Sequence, residues 1–402
     1  MGTLHIDLQA LGEGDVDRIR FYVDGTQRTT VIGQARLSGL PPIPIFAAHI
    51  IAGAGEPRDE QMVPVCIKEM LVLLFPHEAV REEYGRPLSL PDEDELPRLD
   101  NSGDFLNKRP GRLKLGPIPL FFCDITYTFH SKKRRRLRKY DLAAIGRVRQ
   151  AALNAVAGIR RALEVGVIWE LRKRYPDALI LNDGPLARMM MRMYARLAYR
   201  ELEPASSEDH PEHRRACYEL LRRVIGLVKR VTIVPEKGLE QAYRSFNVPV
   251  FRLQQPIRDR ETIEPGEVSE REDGRRPFAG ILSAFFVLRP ELLSSIPLVI
   301  SPSGGLVRLD VPLAALLDDY DDRWMEMRPD IAPGGRHHDA LKRILAGIFV
   351  ERIPLPGTRD VRRVLTELAG TDLIERLLRA RLLPKEAIMM YMRDLLGGRE
   401  FQ

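Results

Sequence analysis

Between Tyr140 and Tyr175 the apolar residues Ile145, Val148, Ala152, Val156, Ile159, Leu163, Val167 and Leu171 recur at steps of three and four. That spacing draws one stripe along an α-helix. Arg147, Gln150, Asn154 and Arg161 occupy its other face. Tyr175-Pro176-Asp177 stops the helix, because proline can neither donate to the helical ladder nor fit inside it. Ala178–Asn182 follows as a short continuous apolar strand, and Asp183-Gly184-Pro185 ends it abruptly. A long amphipathic helix feeding a strand needs a sheet to cover its stripe, which predicts helices packed on strands.

The flanking segments agree. In Arg18–Gly33, Ile19, Phe21 and Val23 alternate with Arg20 and Tyr22 as a half-covered strand would. Asp24-Gly25-Thr26-Gln27 reads as a turn, with the β-branched Thr29–Ile32 returning antiparallel as a hairpin. Further strands are expected at Ile43–Ile51, Met62–Phe75 (part of it open to helix) and Leu120–Phe129, with loops at Leu90–Asp100 and Asn101–Gly116. After the central helix and strand, helices are expected at Leu186–Arg200, Arg214–Lys229 and Gly238–Phe246. Strands are expected at Val231–Val234, Phe278–Leu288 and Gly305–Val311. Ile257–Arg276 is dense in charge and reads as a solvated loop, and Asp339–Gly398 as mostly helical. The fold class is α/β around a mixed β-sheet flanked by helices. Residues 1–350 are expected to form the main domain and 351–402 a helical C-terminal extension.

Composition narrows the class of function. Of 402 residues, 44% are hydrophobic and 29% charged, which excludes a collagen-like, coiled-coil or wholly disordered chain. Apolar stretches such as Phe278–Leu288 reach about half of the ~20 residues that span a bilayer. No signal-peptide pattern opens the chain, so a cytoplasmic protein without a membrane partner is expected. Three cysteines, Cys66, Cys123 and Cys217, are too few for a disulfide framework. No Gly-x-x-x-x-Gly-Lys-[Ser/Thr] or Gly-x-Gly-x-x-Gly element is present, so any ATP-driven motor would be a separate protein.

Two short motifs carry chemistry. Phe21-Tyr22-Val23-Asp24-Gly25-Thr26 and Leu179-Ile180-Leu181-Asn182-Asp183-Gly184 each set an aspartate and a glycine after an apolar strand. Asp-Gly is first of all a turn signal. At a sheet rim, however, a carboxylate projects into a cleft, and two that converge make an oxygen-lined site suited to Mg²⁺ or Mn²⁺. A cation there can activate water and stabilise the leaving oxygen of a phosphodiester. The long helix should supply a third carboxylate. Five strand steps at ~3.3 Å cover about 16 Å, which a helix rising ~1.5 Å per residue matches in roughly ten or eleven residues. Counting back from Arg174 or Tyr175 reaches Glu164, and Glu170 falls short by about 9 Å. Facing points the other way, since Glu170 lies near the middle of the apolar stripe and Glu164 at its edge. Reach decides for a site at a rim, so Glu164 is chosen and Glu170 is the alternative.

Lys132-Lys133-Arg134-Arg135-Arg136-Leu137-Arg138-Lys139 holds seven cations in eight residues. Such a run is commonly a solvated face. Placed between a strand and the long helix, it repels itself unless a polyanion offsets the charge. A nucleic-acid backbone would do so, with affinity that falls steeply with salt. The net charge of +6 is a weaker hint in the same direction.

Asp-Gly-Thr after a strand, the arginine-rich helix Arg160-Arg161-Ala162-Leu163-Glu164 and the string Leu179–Leu186 resemble the NurA nucleases. Val231–Lys237, Phe278–Leu288 and Val307–Pro312 are similar to later strands of that family. The resemblance implies a ribonuclease H-like fold and a Mn²⁺-dependent (or Mg²⁺-dependent) deoxyribonuclease that degrades DNA from its ends. It implies a homodimer working with a HerA-type hexameric ATPase in DNA end processing or antiviral defence. Carried onto this chain, it makes Asp24, Glu164 and Asp183 the metal-binding catalytic acids. It also makes His338, in His337-His338-Asp339-Ala340, the C-terminal catalytic histidine. Asp330 stands where the family has a tyrosine. The alternative is a DNA-binding or scaffold subunit of a translocase that keeps the fold and has lost hydrolysis.

Overall fold

The computed structural model describes residues 2–36, 41–58, 61–85, 90–99, 109–126, 137–186, 211–229, 231, 239–244, 246–252, 280–295, 305–324, 327, 329–352, 366 and 368–395. Among them the strands are β1 (Gly2–His5), β2 (Ile19–Ala35), β3 (Ile43–Arg58), β4 (Gln61–Phe75), β5 (Arg98–Leu99) and β6 (Lys114–Leu115). Six more follow: β7 (Ile118–Asp124), β8 (Leu179–Asp183), β9 (Val224–Val228), β10 (Asn247–Arg252), β11 (Ile281–Val287) and β12 (Leu306–Pro312). The helices are α1 (His77–Tyr84), α2 (Lys139–Ala143), α3 (Ile145–Arg174), α4 (Pro211–Leu221), α5 (His338–Val350), α6 (Ala369–Arg381) and α7 (Lys385–Leu395). The chain is α/β, as its alternating periods require. No helix among the described residues is long and apolar enough to cross a membrane.

The chain divides into two compact units, one of Met1–Asp24, Ala54–Val65 and Ile168–Ile374, the other of Gly25–Gly53, Cys66–Val167 and Glu375–Gln402. In the first, the strands lie in the order β1-β10-β11-β12-β9-β8-β2. From β1 through to β9 the neighbours run antiparallel, whereas β9, β8 and the start of β2 are parallel. Its strands β8, β9, β11 and β12 are nearly wholly buried, the mark of a sheet covered on both faces. Phe349 of α5 stacks against Phe246 and Phe286, with ring centroids 5.2 and 5.0 Å away. Tyr218 of α4 meets Tyr320 and Trp324, and the Trp324 indole N–H donates to the Arg214 carbonyl at 3.2 Å.

In the second unit β2 is followed by β3, β4, β7 and β5, with β7 parallel to both β4 and β5. Val148, Ala152, Val156, Ile159, Leu163 and Val167 of α3 are buried, as their spacing demands. The start of α1 is capped by β7 and the residues after it: Asp124 Oδ2 accepts from the Glu78 N–H at 2.9 Å, and Thr126 Oγ1 from Ala79 at 3.0 Å. The turn between α6 and α7 is held by Arg28, which donates to the Leu383 carbonyl at 2.6 Å, and by His49, whose Nδ1 accepts from the Leu383 N–H at 3.1 Å.

Several expected elements change. Asp24-Gly25 is not a hairpin turn, because β2 runs unbroken from Ile19 to Ala35. Type I′ hairpin turns need positive φ at both central residues, and Gly25 is not among the positive-φ glycines of the described residues. The helix expected over Arg214–Lys229 ends at Leu221, and Val224–Val228 is strand. β-Branched Val224, Ile225 and Val228 favour the pleated state. Met62–Phe75 is strand throughout. The expected helix at Tyr140–Tyr175 breaks at Ala144 into α2 and α3, and Gly238–Phe246 holds a 3₁₀ turn, Leu239–Tyr243. Residues 187–200, 232–234 and 257–276, each given an expected structure above, lie outside the described residues.

Candidate metal centre

The pairing of β2 with β8 sets the site. The two strands are parallel, with Tyr22 opposite Leu181 and Val23 opposite Asn182. The next residues along each, Asp24 and Asp183, therefore come to the same level on adjacent strands. Parallel neighbours in register point to the same face, about 4.8 Å apart. Asp183 ends β8, and Asp24 is the last residue of β2 in this unit. The sequence leaves open whether these two strands are neighbours; the structure pairs them, and β2 continues beyond Asp24 instead of turning there.

Carboxylates about 5 Å apart repel by roughly 3 kcal/mol in an effective dielectric of 20, and neighbouring strands bring the Asp24 and Asp183 backbones to about that spacing. The fold supplies a counter-charge. β9 lies beside β8, Asp183 opposite Leu227, so Lys229 follows just beyond the strand end. Its ammonium donates to Asp183 Oδ2 at 2.5 Å, both side chains being more than four-fifths buried. Lys229 is not marked by the sequence, because the pattern over Arg214–Lys229 predicts a helix and hides the strand end it follows. The usable signal was the β-branched run Val224-Ile225-Gly226-Leu227-Val228 ahead of it.

The turn after Asp183 is tightly fixed. Gly184 has φ of 132°, a conformation that favours glycine, and its N–H donates to the Leu227 carbonyl at 2.9 Å. On β9, a Cβ at Gly226 would lie 2.6 Å from the Gly184 carbonyl oxygen and 2.8 Å from Leu186 Cγ. Below this turn Asp310 of β12 is fully buried. Its carboxylate accepts from Ser283 Oγ at 2.8 Å, from Arg308 Nε and Nη2 at 2.8 and 3.0 Å, and from the Leu186 N–H at 3.3 Å. Burial pushes the Asp310 carboxyl above its usual range, against the pull of Arg308 and Ser283. Two charged residues two apart in Leu306-Val307-Arg308-Leu309-Asp310 share one strand face, a pattern that could have marked them as a buried pair.

In the other unit, Glu164 of α3 is buried and lies 3.3 Å from Arg160 Nε, one helical turn back. A Cβ on Gly25 would overlap Glu164 Oε1, and it would lie 2.7 Å from Arg160 Cγ. Gly25 is thus needed for space rather than for a turn. Glu170, the alternative, is half-buried.

His338 is not brought to the carboxylate pair. It opens α5, its Nδ1 2.8 Å from Asp339 Oδ1. That helix passes the start of β2, where the Asp17 N–H donates to the Arg343 carbonyl at 3.2 Å. Just past the helix's far end, Glu351 accepts from the Tyr22 hydroxyl at 3.2 Å. His338 therefore lies toward the Asp17 end of this helix–strand contact, whereas Asp24 follows Tyr22 at the other end. His337 and His338 form a helix start, in which His337 Nδ1 accepts from the Asp330 N–H at 3.0 Å.

Of the basic segment, Lys132, Lys133, Arg134, Arg135 and Arg136 lie outside the described residues. Leu137 is buried, Arg138 is exposed, and Lys139 begins α2.

Among the described residues no group of three or more His, Cys, Asp or Glu side chains is close enough to hold a metal ion. A cation of the Mg²⁺ kind needs less: one or two carboxylates, with water and phosphate oxygens completing the shell. Asp24 and Asp183 meet that requirement in donor type and placement, and the lysine on Asp183 marks where positive charge is stabilised.

No protein-family model matches the chain, and no curated protein matches it. Among solved structures, the crystal structure of the NurA nuclease from Sulfolobus solfataricus aligns over 96% of this chain and 88% of that one, at 9% identity and a TM-score of 0.34. At that level neither family nor activity follows, and the chain is identified by its architecture, an α/β protein with paired aspartates on adjacent parallel strands.

Proposed function

We propose that this chain is a divalent-cation-dependent nuclease that hydrolyses DNA phosphodiesters. The observation that carries the reading is the register of β2 against β8, in which Val23 and Asn182, the residues just before the two aspartates, are partners on adjacent parallel strands. In the first unit β2 is followed outward by β8 and β9, both parallel to it, and in the second by β3 and β4. That order supports a ribonuclease H-like core.

In this proposal Asp24 and Asp183 hold the cation, Mn²⁺ or Mg²⁺. When bound, such an ion polarises a phosphate and lowers the pKa of water. Asp183 exchanges its lysine partner for the ion, and Lys229 is left to face the phosphate as a second positive charge. The turn Gly184–Leu186, fixed from below by Asp310, keeps the Asp183 carboxylate at the strand end. Glu164 enters as the third acid on the sequence argument alone. His338 has no part. Lys132–Lys139 grips the DNA backbone, and a homodimer working with a HerA-type ATPase belongs to the same reading through the sequence resemblance.

End-labelled linear duplex DNA incubated with the protein and Mn²⁺ tests this. Shortened products that disappear with EDTA are expected. A specific observation favours a second reading, a DNA-binding subunit without hydrolysis: the absence of a third close ligand among the described residues. Salt-sensitive DNA binding with no product under any divalent cation, with or without a HerA-type ATPase, would select it.

A further inference from the structure

Asp310 is a wholly buried carboxylate on a central strand, and taking its charge out of water is costly unless it is paired and hydrogen-bonded. Three of its four contacts, two from Arg308 and one from Ser283, are to side chains on its own and the adjacent strand. The fourth acceptor contact differs in kind: Oδ2 takes the backbone N–H of Leu186, in the turn after Asp183. Gly226, opposite Asp310 on β9, leaves the space through which that turn settles onto the sheet.

We propose that Asp310 is a positioning residue for the candidate metal centre, acting through the Leu186 amide to fix where the Asp183 carboxylate stands. The inference rests on the reading of Asp24 and Asp183 as a cation site. Arg308 neutralises Asp310, and Ser283 fixes its rotamer, so a single carboxylate oxygen is presented to the turn. Loss of that acceptor frees the Gly184–Leu186 backbone and lets Asp183 swing with Lys229 off the Asp24 level. Partners one step removed from a metal set its affinity in this way, typically by 10–100-fold.

A pair of double variants isolates the acceptor from the charge. Arg308→Met/Asp310→Asn and Arg308→Met/Asp310→Leu both remove the buried ion pair, a replacement that is often neutral for stability. Only the asparagine keeps an oxygen for the Leu186 N–H. The leucine variant is expected to bind Mn²⁺ about tenfold more weakly than the asparagine variant in calorimetric titration. Its Leu186 amide should also exchange with solvent about tenfold or more faster. The asparagine variant should stay close to the unsubstituted protein in both. Equal Mn²⁺ affinity in the two variants, with the unsubstituted protein binding Mn²⁺, overturns the role of Asp310. Unchanged Leu186 exchange in the leucine variant overturns it whether or not Mn²⁺ binds. Failure of the unsubstituted protein to bind Mn²⁺ overturns the cation-site reading, and the role of Asp310 with it. Should the leucine variant not fold, Ser283→Ala, which removes one restraint on Asp310, is expected to show the same two changes at smaller size, and no change in either overturns the proposal.

Discussion

Lys229 Nζ and Asp183 Oδ2 stand 2.5 Å apart at the ends of two adjacent parallel strands. The lysine offsets the repulsion between Asp183 and Asp24, which share a level of the sheet. Lys229→Met should therefore destabilise the metal-free protein by about 1–3 kcal/mol, the usual cost of stripping a buried charged group of its partner. Because a ligand of the native state stabilises it by mass action, Mn²⁺ should then raise the melting temperature more in the variant than in the unsubstituted protein. Thermal unfolding with and without Mn²⁺ measures this, and equal shifts would refute it.

Asp24→Asn and Asp183→Asn keep shape and remove charge. Each should lower Mn²⁺-dependent DNA cleavage by at least about two orders of magnitude, more than the 10–100-fold typical when only a ligand's supporting partner is lost, with circular dichroism unchanged. Glu170→Gln and His338→Gln should leave cleavage within about twofold, as neither is placed in the site. Initial rates on one linear substrate compare all four.

Glycine substitutions separate space from conformation. Gly226→Ala drives a methyl to 2.6 Å from the Gly184 carbonyl oxygen, a backbone atom that cannot rotate away. Overpacking of this kind costs about 1–3 kcal/mol, and the displaced turn should weaken Mn²⁺ binding as well. Gly25→Ala meets Glu164 Oε1 and the Arg160 chain instead. Those are side-chain atoms that can yield, so its loss in chemical denaturation should be the smaller of the two.

His49 gives a pH dependence in the second unit. Burial, and then Arg28 and Arg381 nearby, hold its pKa down at about 4, with Glu69 3.7 Å from its Nε2. The unfolded chain takes up the proton near the ordinary value of 6.5. Between those values the unfolded state binds more protons, so stability is full above about 6.5 and falls as pH drops toward 4. His49 accepts the Leu383 N–H, so the loss should concentrate in the turn between α6 and α7. His49→Asn, which keeps an acceptor and cannot titrate there, should flatten that part of the curve. Hydrogen exchange of Leu383 at pH 7 and pH 5 reads the difference.

The central helix and the strand after it were legible because their periods differ and the tail Tyr175-Pro176-Asp177 marks the join. Asp183 could be found for the same reason, as a polar residue ending an apolar run. Asp24-Gly25 reads locally as a turn, yet here the glycine makes room for Glu164, a long-range contact that no local pattern encodes. Lys229 was hidden by Val224–Val228, whose length suits either a last helical turn or a strand. Arg308 and Asp310, two apart on one strand face, are legible as a pair, but the contacts of Asp310 to Ser283 and to the Leu186 turn are long-range and no local pattern encodes them. His338 matched a string, and a string carries no information about which end of a strand a helix start will meet.

A crystal soaked in Mn²⁺ and measured at the manganese absorption edge tests the shared-cation claim most directly. One anomalous peak within about 2.0–2.3 Å of carboxylate oxygens from both Asp24 and Asp183 is expected, hard-cation distances of the Mg²⁺ kind, with Lys229 displaced from Asp183. An Asp183 still bound to Lys229, with no peak between the two aspartates at saturating Mn²⁺, would contradict it.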